Sequence, residues 1–254
     1  MVEQFPARFR ERVAIITGAM GGIGSATARR FAQEGARVVL ADMPDAVTAE
    51  GTALVQSCKS LGAPDAMAVA CDVAREADVA AAAKLALGKF GRIDIVANIA
   101  GLMIFKPLKD FSADEWKRLL DVNLMGAVFF TREALHVMTP GSAIVNVSSI
   151  HAIQTSALVA PYAAAKAALL SLTRSTAIEG KANCIRANAV MPGAIDTPML
   201  RSNPNVASGH ERMPPGATGR PEDVAAVVAF LASHEAAFIT GSVFTADGGR
   251  LATL

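Results

Sequence analysis

Thr17-Gly18-Ala19-Met20-Gly21-Gly22-Ile23-Gly24 joins an apolar run, Val13–Thr17, to an amphipathic stretch over residues 23–34. The run is long enough for a buried strand. The stretch suits a helix, with Gly35 in the place of a C-terminal glycine. Gly18 permits a tight turn, Gly22 lets backbone approach a pyrophosphate, and Gly24 lets the helix pack closely. The helix start adds free N–H groups and the positive end of its dipole, which suits phosphate. Such glycines carry weight here because they follow a strand and open a helix, with Met20 and Ile23 in the same loop. The plain alternative is a glycine-rich turn that binds nothing.

The same alternation continues along the chain. Strands are expected at 37–41, 66–71, 93–97, 142–147, 185–190 and Val243–Ala246. Helices are expected at 46–61, Glu76–Phe90, 162–178 and Pro221–Ala232. Ser112 followed by Glu115 is a capping box opening one more helix toward Met138. Short, wholly apolar strands alternating with helices imply a parallel sheet covered on both faces. The expected fold is a single α/β domain over residues 1–254, a Rossmann-type doubly wound parallel sheet flanked by helices. Residues 198–219, rich in Pro, Gly, Ser and Asn, are expected to form an irregular substrate-binding loop.

Composition narrows the function. The 254 residues carry 24 Lys+Arg against 23 Asp+Glu, a net charge of +1, which excludes a generally basic nucleic-acid binder. Aromatics at 5% argue against a base-stacking module. Cys58, Cys71 and Cys184 form no Cys-x-x-Cys pair, so neither a disulfide framework nor a zinc site is expected, and all three read as reduced core thiols. No run of about 18 apolar residues offers a membrane span, and residues 1–12 hold no apolar signal core. A cytoplasmic protein without membrane or nucleic-acid partners is the expectation.

Asp42 ends the second strand, eighteen residues after Gly24. A carboxylate there accepts hydrogen bonds from a ribose and repels a 2′-phosphate, favouring NAD over NADP. No Lys or Arg lies in the glycine loop or over 43–57 to offset it. An ordinary solvated Asp is the alternative.

The spacing Thr-Gly-x-x-x-Gly-x-Gly resembles that of the classical short-chain dehydrogenase/reductase family, and other residues agree in order. Asp72-Val73 matches its adenine-side Asp, and Asn98-Ile99-Ala100-Gly101 its Asn-Asn-Ala-Gly motif, with Ile99 departing from the second Asn. Asn123, Ser149, Tyr162-x-x-x-Lys166, Pro192-Gly193 and Thr197 complete the series over about residues 8–250. The resemblance implies an oxidoreductase with catalytic Asn123, Ser149, Tyr162 and Lys166. It also implies a dinucleotide site that includes Asp72, Val73, Asn98, Ala100, Gly101, Pro192 and Gly193. Ile195 and Thr197 would meet the nicotinamide carboxamide, and Asp247-Gly248-Gly249 would lie near an interface of a homotetramer. No metal is implied.

The residues themselves support these roles. Tyr162 is the only tyrosine, and Lys166 four positions on shares its helix face. A phenol with pKa near 10 is a poor base at neutral pH; lowering it by about 3 units needs about 4 kcal/mol, which an ammonium and a cationic nicotinamide can supply. Tyr162 would exchange a proton with the substrate oxygen, Ser149 would orient that oxygen, and Asn123 would hold a water leading to Lys166. The thirteen-residue spacing carried over from the family selects Ser149 over its neighbour Ser148. His151, two residues beyond Ser149, would share its face on an extended strand end. Met103, Ile153, Leu158, Val159, Met199 and Leu200 are apolar candidates for the pocket rim, or else core. Such a lining suits an uncharged secondary alcohol or ketone. The carboxylate-binding Lys of the family's hydroxy-acid members is absent, with Val159 three residues before Tyr162. A 3-oxoacyl-thioester reductase of lipid synthesis and a non-catalytic dinucleotide-binding regulator are the competing functions. Asp42 and the near-neutral charge weigh against the first, and the intact Tyr162, Lys166 and Ser149 against the second.

Overall fold

A computed structural model describes residues 7–209 and 218–252. Its centre is β1 (Val13–Thr17), whose five residues are all buried. Alternation along the strand sends Ala14 and Ile16 into a core with Phe31, Val38, Leu40 and Val228. Val13 and Ile15 enter a second core with Val39, Val79, Phe130 and Ile144. This two-sided burial is why the strands are apolar throughout rather than alternating.

The chain runs β1, α1 (Gly22–Gln33), β2 (Arg37–Asp42), α2 (Pro44–Val47), α3 (Ala49–Leu61), β3 (Ala66–Ala70), α4 (Glu76–Phe90) and β4 (Ile95–Asn98). It continues through α5 (Ala113–Leu120), α6 (Gly126–Val137), β5 (Ala143–Val147), α7 (Ala160–Gly180) and β6 (Arg186–Pro192). The last elements are α8 (Pro198–Arg201), α9 (Pro204–Ala207), α10 (Pro221–Ala232) and β7 (Val243–Ala246). Among the described residues seven strands form one parallel sheet in the order β3-β2-β1-β4-β5-β6-β7. The order reverses between β1 and β4, and at such a switch point the strand ends leave a crevice for ligand.

The expected doubly wound fold is therefore present, with local corrections. The helix expected at 46–61 is two, broken at Thr48. The helix expected from the capping box to Met138 is interrupted by a π-helical turn, Asp121–Met125, closed by Gly126 N–H donating to Asp121 O. Gly126 passes the segment after β3 so closely that a Cβ would lie 2.8 Å from Val73 Cβ. The loop expected at 198–219 carries α8 and α9, and Asn205 Nδ2 ties it to Ala157 O at 2.9 Å. Its residues 210–217 lie outside the described residues. Cys58 and Cys71 are buried thiols, raised by burial to about 11 and about 12, but Cys184 is exposed at a left-handed turn (φ 52°) rather than in the core. Among the described residues no helix is long and apolar enough to cross a membrane, and no His, Cys, Asp and Glu cluster could hold a metal.

At the base of the sheet the buried Asp94 carboxylate accepts from Val13 N–H at 2.9 Å, Arg12 Nη1 at 3.0 Å and Arg92 Nε at 2.8 Å. It ties the start of β1 to the start of β4, far from the crevice. Asp94→Ala strands two guanidinium groups and a buried N–H, and is expected to lower stability by roughly 3 kcal/mol in urea unfolding. An unchanged midpoint would contradict this account.

Candidate active site

The cleft at the switch point has a volume of about 440 Å³. Gly18, Gly22, Ile23 and Gly24 line it beside Asp42, Asp72, Val73, Ala100 and Gly101, and so do Pro192, Gly193, Ile195 and Thr197. Gly18 has φ 63°, and a Cβ there would lie 2.8 Å from Ala100 Cα. Gly24 admits no side chain, since a Cβ would fall 2.0 Å from Gly18 O. The missing side chain of Gly22 makes room for Thr197, whose Cγ2 would be 2.8 Å from a Cβ. No side chain caps α1; its first helical donor is Ser25 N–H to Gly21 O at 2.8 Å. The N–H groups of Gly22, Ile23 and Gly24 therefore have no partner within the helix, and they fit a phosphate.

Asp42 does more than end β2. Its Oδ2 accepts Met20 N–H at 2.7 Å and its Oδ1 accepts Met43 N–H at 2.8 Å. Met20 is thus corrected: its N–H is already used, and its side chain packs toward Gly51 instead of lining the cleft. Asp72 accepts Ala74 N–H and pairs with Arg118 at 3.1 Å.

Ser149, Tyr162 and Lys166 share the other end of the cleft, and all three are buried. Ser149 follows β5, while Tyr162 and Lys166 stand one turn apart on α7. Lys166 Nζ donates to Val147 O at 2.9 Å and lies 5.6 Å from the Tyr162 ring centroid. Ser148 Oγ donates to the Lys166 carbonyl at 2.7 Å, so it fastens α7 to β5 and leaves Ser149 to meet Tyr162. Burial raises the Tyr162 phenol to about 12, although a hydrogen bond with Ser149 pulls it down. Burial lowers the Lys166 ammonium to about 8. In the ligand-free protein desolvation outweighs the Ser149 hydrogen bond, and the acidic phenol expected from the sequence belongs to a site with a cationic nicotinamide added beside Lys166.

Another expectation changes. Asn98 does not line the main cleft: its Nδ2 donates to Asn146 Oδ1 at 2.8 Å, while Asn146 Nδ2 donates to Thr173 Oγ1 at 2.9 Å. Asn98 instead borders a separate void of about 10 Å³, as does Asn123. Asn123 Nδ2 donates to Leu102 O at 2.8 Å and Leu119 O at 2.9 Å, and its Oδ1 accepts Leu102 N–H at 3.1 Å. Both amide hydrogens are spent on backbone, so the Asn123 side chain positions the Gly101–Leu102 loop.

His151 lines the cleft, but not from an extended strand. Ser149 caps a short 3₁₀ turn, Ile150–Ala152, by accepting His151 N–H at 3.2 Å. The imidazole lies edge-on to Tyr162 at 6.0 Å between centroids, and its Nδ1 is 3.3 Å from Thr155 Oγ1. Met103, Met199 and Leu200 line the cleft as expected. Val159 is a core residue at 1% exposure, Ile153 is 66% exposed, and neither they nor Leu158 reach it. Leu102, Arg118, Asn203 and Arg250 line it unforeseen. Nothing in their local sequence marks them, because tertiary packing alone brings them there.

A family profile described as "Enoyl-(Acyl carrier protein) reductase" matches residues 18–250. The cis-4-hydroxycyclohexanecarboxylate dehydrogenase of Sinomonas cyclohexanicum is 41% identical, over 96% of this chain and 98% of its own length. The meso-2,3-butanediol dehydrogenase of Serratia marcescens is 38% identical, over 97% of each chain. A short-chain dehydrogenase from Burkholderia cenocepacia J2315, solved in complex with NADP, superposes with a TM-score of 0.88 at 31% identity, covering 95% of this chain and 98% of its own. The chain belongs to the classical short-chain dehydrogenase/reductase family. It is an oxidoreductase of a family that binds a nicotinamide dinucleotide and acts on alcohols and ketones.

Tyr162 being the sole tyrosine, the phenolate absorbance of the protein reports it alone. In the folded, ligand-free protein that signal is expected to titrate near 12, and in urea near the ordinary phenol value of about 10. Ser149→Ala should move the folded value higher still. A folded midpoint at or below the unfolded one would refute the dominance of burial.

Proposed function

We propose that the protein interconverts a secondary alcohol and its ketone with NAD(H). The reading is carried by one observation: the Ser149–Tyr162–Lys166 group and the uncapped start of α1 face the same cleft. A nicotinamide dinucleotide, held against the uncapped start of α1 and beside Ile195 and Thr197, would supply the hydride chemistry at the carbinol carbon. The protein handles the proton. In reduction Tyr162 donates its phenolic proton to the carbonyl oxygen; in oxidation its phenolate takes the proton from the alcohol. Ser149 hydrogen-bonds the same oxygen and fixes its approach. Lys166, held on Val147 O, stabilises the phenolate when the site carries positive charge. Asn123 acts one step removed, by fixing the loop at Gly101 beside Lys166.

Because burial holds the phenol near 12, the resting protein carries the proton that reduction needs. Oxidation requires the phenolate. At about 1.4 kcal/mol per pH unit, bringing the group from about 12 to neutrality needs roughly 7 kcal/mol of cationic stabilisation. Alcohol oxidation is therefore expected to rise with pH more steeply than ketone reduction.

NAD over NADP rests on the Asp42 carboxylate, which lines the adenine half of the cleft without a Lys or Arg over 43–57. That carboxylate also weighs against the 3-oxoacyl-thioester reductase. By the family resemblance the assembly is proposed to be a homotetramer. The substrate is proposed to be a cyclic or short-chain secondary alcohol, in keeping with the Sinomonas and Serratia relatives.

Tyr162→Phe is expected to cut turnover by about 10³-fold while NADH binding, followed by nicotinamide fluorescence, persists. Retained turnover would remove the proposed acid/base. NAD⁺ should raise the melting temperature more than NADP⁺, and Asp42→Asn should narrow the difference. Equal shifts in the unaltered protein would overturn the NAD assignment.

A further inference from the structure

We propose that Asn205 is a positioning residue that sets which alcohols the cleft prefers, by clasping the α8–α9 segment to the turn that precedes α7; this deepens the dehydrogenase reading above and rests on it. The catalytic end of the cleft is walled by side chains from separate stretches of chain. Leu102 and Met103 come from the loop after β4, and Met199 and Leu200 from α8. Neither stretch belongs to the sheet, so each needs an anchor. The β4 loop is tied at both ends: Asn123 holds Leu102, and Lys106 N–H donates to Leu158 O at 2.9 Å. At its near end α8 is capped by Thr197, whose Oγ1 accepts Leu200 N–H at 3.4 Å. Its far end runs into α9, with Asn203 N–H donating to Leu200 O at 3.0 Å. Asn205 then ties α9 down. Its Nδ2 donates to Ala157 O at 2.9 Å and to Ser156 Oγ at 3.3 Å.

Burial and backbone conformation single this contact out. Asn205 is 5% exposed, although Pro204 and Ala207 on the same short helix are exposed. A buried amide is costly unless its hydrogens are met, and here both meet an oxygen of the turn before α7. The Asn205 N–H is fixed as well, donating to Asn203 Oδ1 at 2.9 Å. On the receiving side Leu158 has φ 72°, a left-handed setting that a leucine rarely adopts. Around it, consecutive carbonyls reach different partners: Ala157 O meets Asn205 and Leu158 O meets Lys106. The turn is therefore the common anchor of both apolar walls, and Asn205 is the side chain that couples them. It also leads directly into α7, which starts at Ala160 and carries Tyr162 in its first turn. With the clasp released, Met199 and Leu200 lose their fixed distance from Met103. A substrate large enough to touch both walls then loses more than a small one held by Ser149 and Tyr162 alone, because apolar contact scales with the carbon buried.

Amide hydrogen exchange tests the clasp without any turnover. In the unaltered protein the Lys106 and Asn205 amides should lose protection in step as urea is added, because one turn anchors both. Asn205→Asp keeps the size but sets a carboxylate without N–H against the Ala157 carbonyl, and Asn205→Ala removes the donors outright. Either variant should speed exchange at Lys106 by about 10-fold or more, although Lys106 bonds Leu158 and not the altered side chain, while the β1 and β4 amides stay protected. Unequal urea dependence in the unaltered protein would overturn the proposal, as would a Lys106 amide indifferent to both substitutions. Selectivity tests the consequence. Cyclohexanol should exceed propan-2-ol in kcat/KM by about 10–100-fold in the unaltered protein, owing to its extra ring carbons. Asn205→Asp should bring the ratio to within about threefold of parity, chiefly through a higher KM for cyclohexanol, with NADH affinity moved by less than about twofold. A general loosening of the protein would depress both alcohols alike and leave the ratio standing, and that result also counts against the proposal. If the unaltered protein oxidises no alcohol, the dehydrogenase reading falls and the selectivity claim with it, while the exchange rates still decide whether the clasp exists.

Discussion

Lys166 is almost wholly buried, and its ammonium has the Val147 carbonyl at 2.9 Å as its partner. An amine taken out of water is costly unless an acceptor meets it. Here the acceptor is the last residue of a central strand. The arrangement therefore requires α7 to lie across the end of β5 in one rotational setting, which Ser148 reinforces from below by bonding the Lys166 carbonyl. With α7 held in that phase, the residue one turn earlier can only be where Tyr162 is, beside Ser149. The position of the phenol follows from where the amine can be satisfied.

The same burial makes the site asymmetric. The enclosure that brings the ammonium down to about 8 sends the phenol up to about 12, so at rest the proton sits on oxygen. Ser149 offsets part of that shift, and the rest must come from charge delivered with the ligand. In the proposed reaction, proton exchange is thus coupled to occupancy, because in the ligand-free protein burial keeps the tyrosine a weak acid.

The fold was legible because its strands advertise themselves. Val13–Thr17 and its counterparts are apolar at every position, which only a sheet covered on both faces explains, and Gly18 and Gly24 occupy places where a Cβ meets backbone. The pairing of Tyr162 with Lys166 was legible too, since four residues make one turn. What stayed hidden depends on contacts distant in sequence. Met20 N–H is claimed by a carboxylate at the end of another strand, and Val159 turns into the core because α7 begins at Ala160. His151 departs from the strand because Ser149 caps a turn instead of extending β5. Arg250 reaches the cleft only because β7 lies beside β6. The π-helical turn gave no signal, and the close passage of Gly126 against Val73 beside it joins residues distant in sequence.

That turn absorbs length without altering phase. A helix that closes one hydrogen bond over five residues instead of four accommodates one residue more than a regular spiral would. The helical faces before and after it therefore keep their alignment, and Leu119 on one side and Phe130 and Ala134 on the other all stay sealed in the interior. The surplus residue is taken up as a local widening of the backbone rather than as a rotation of the layer packed beyond it.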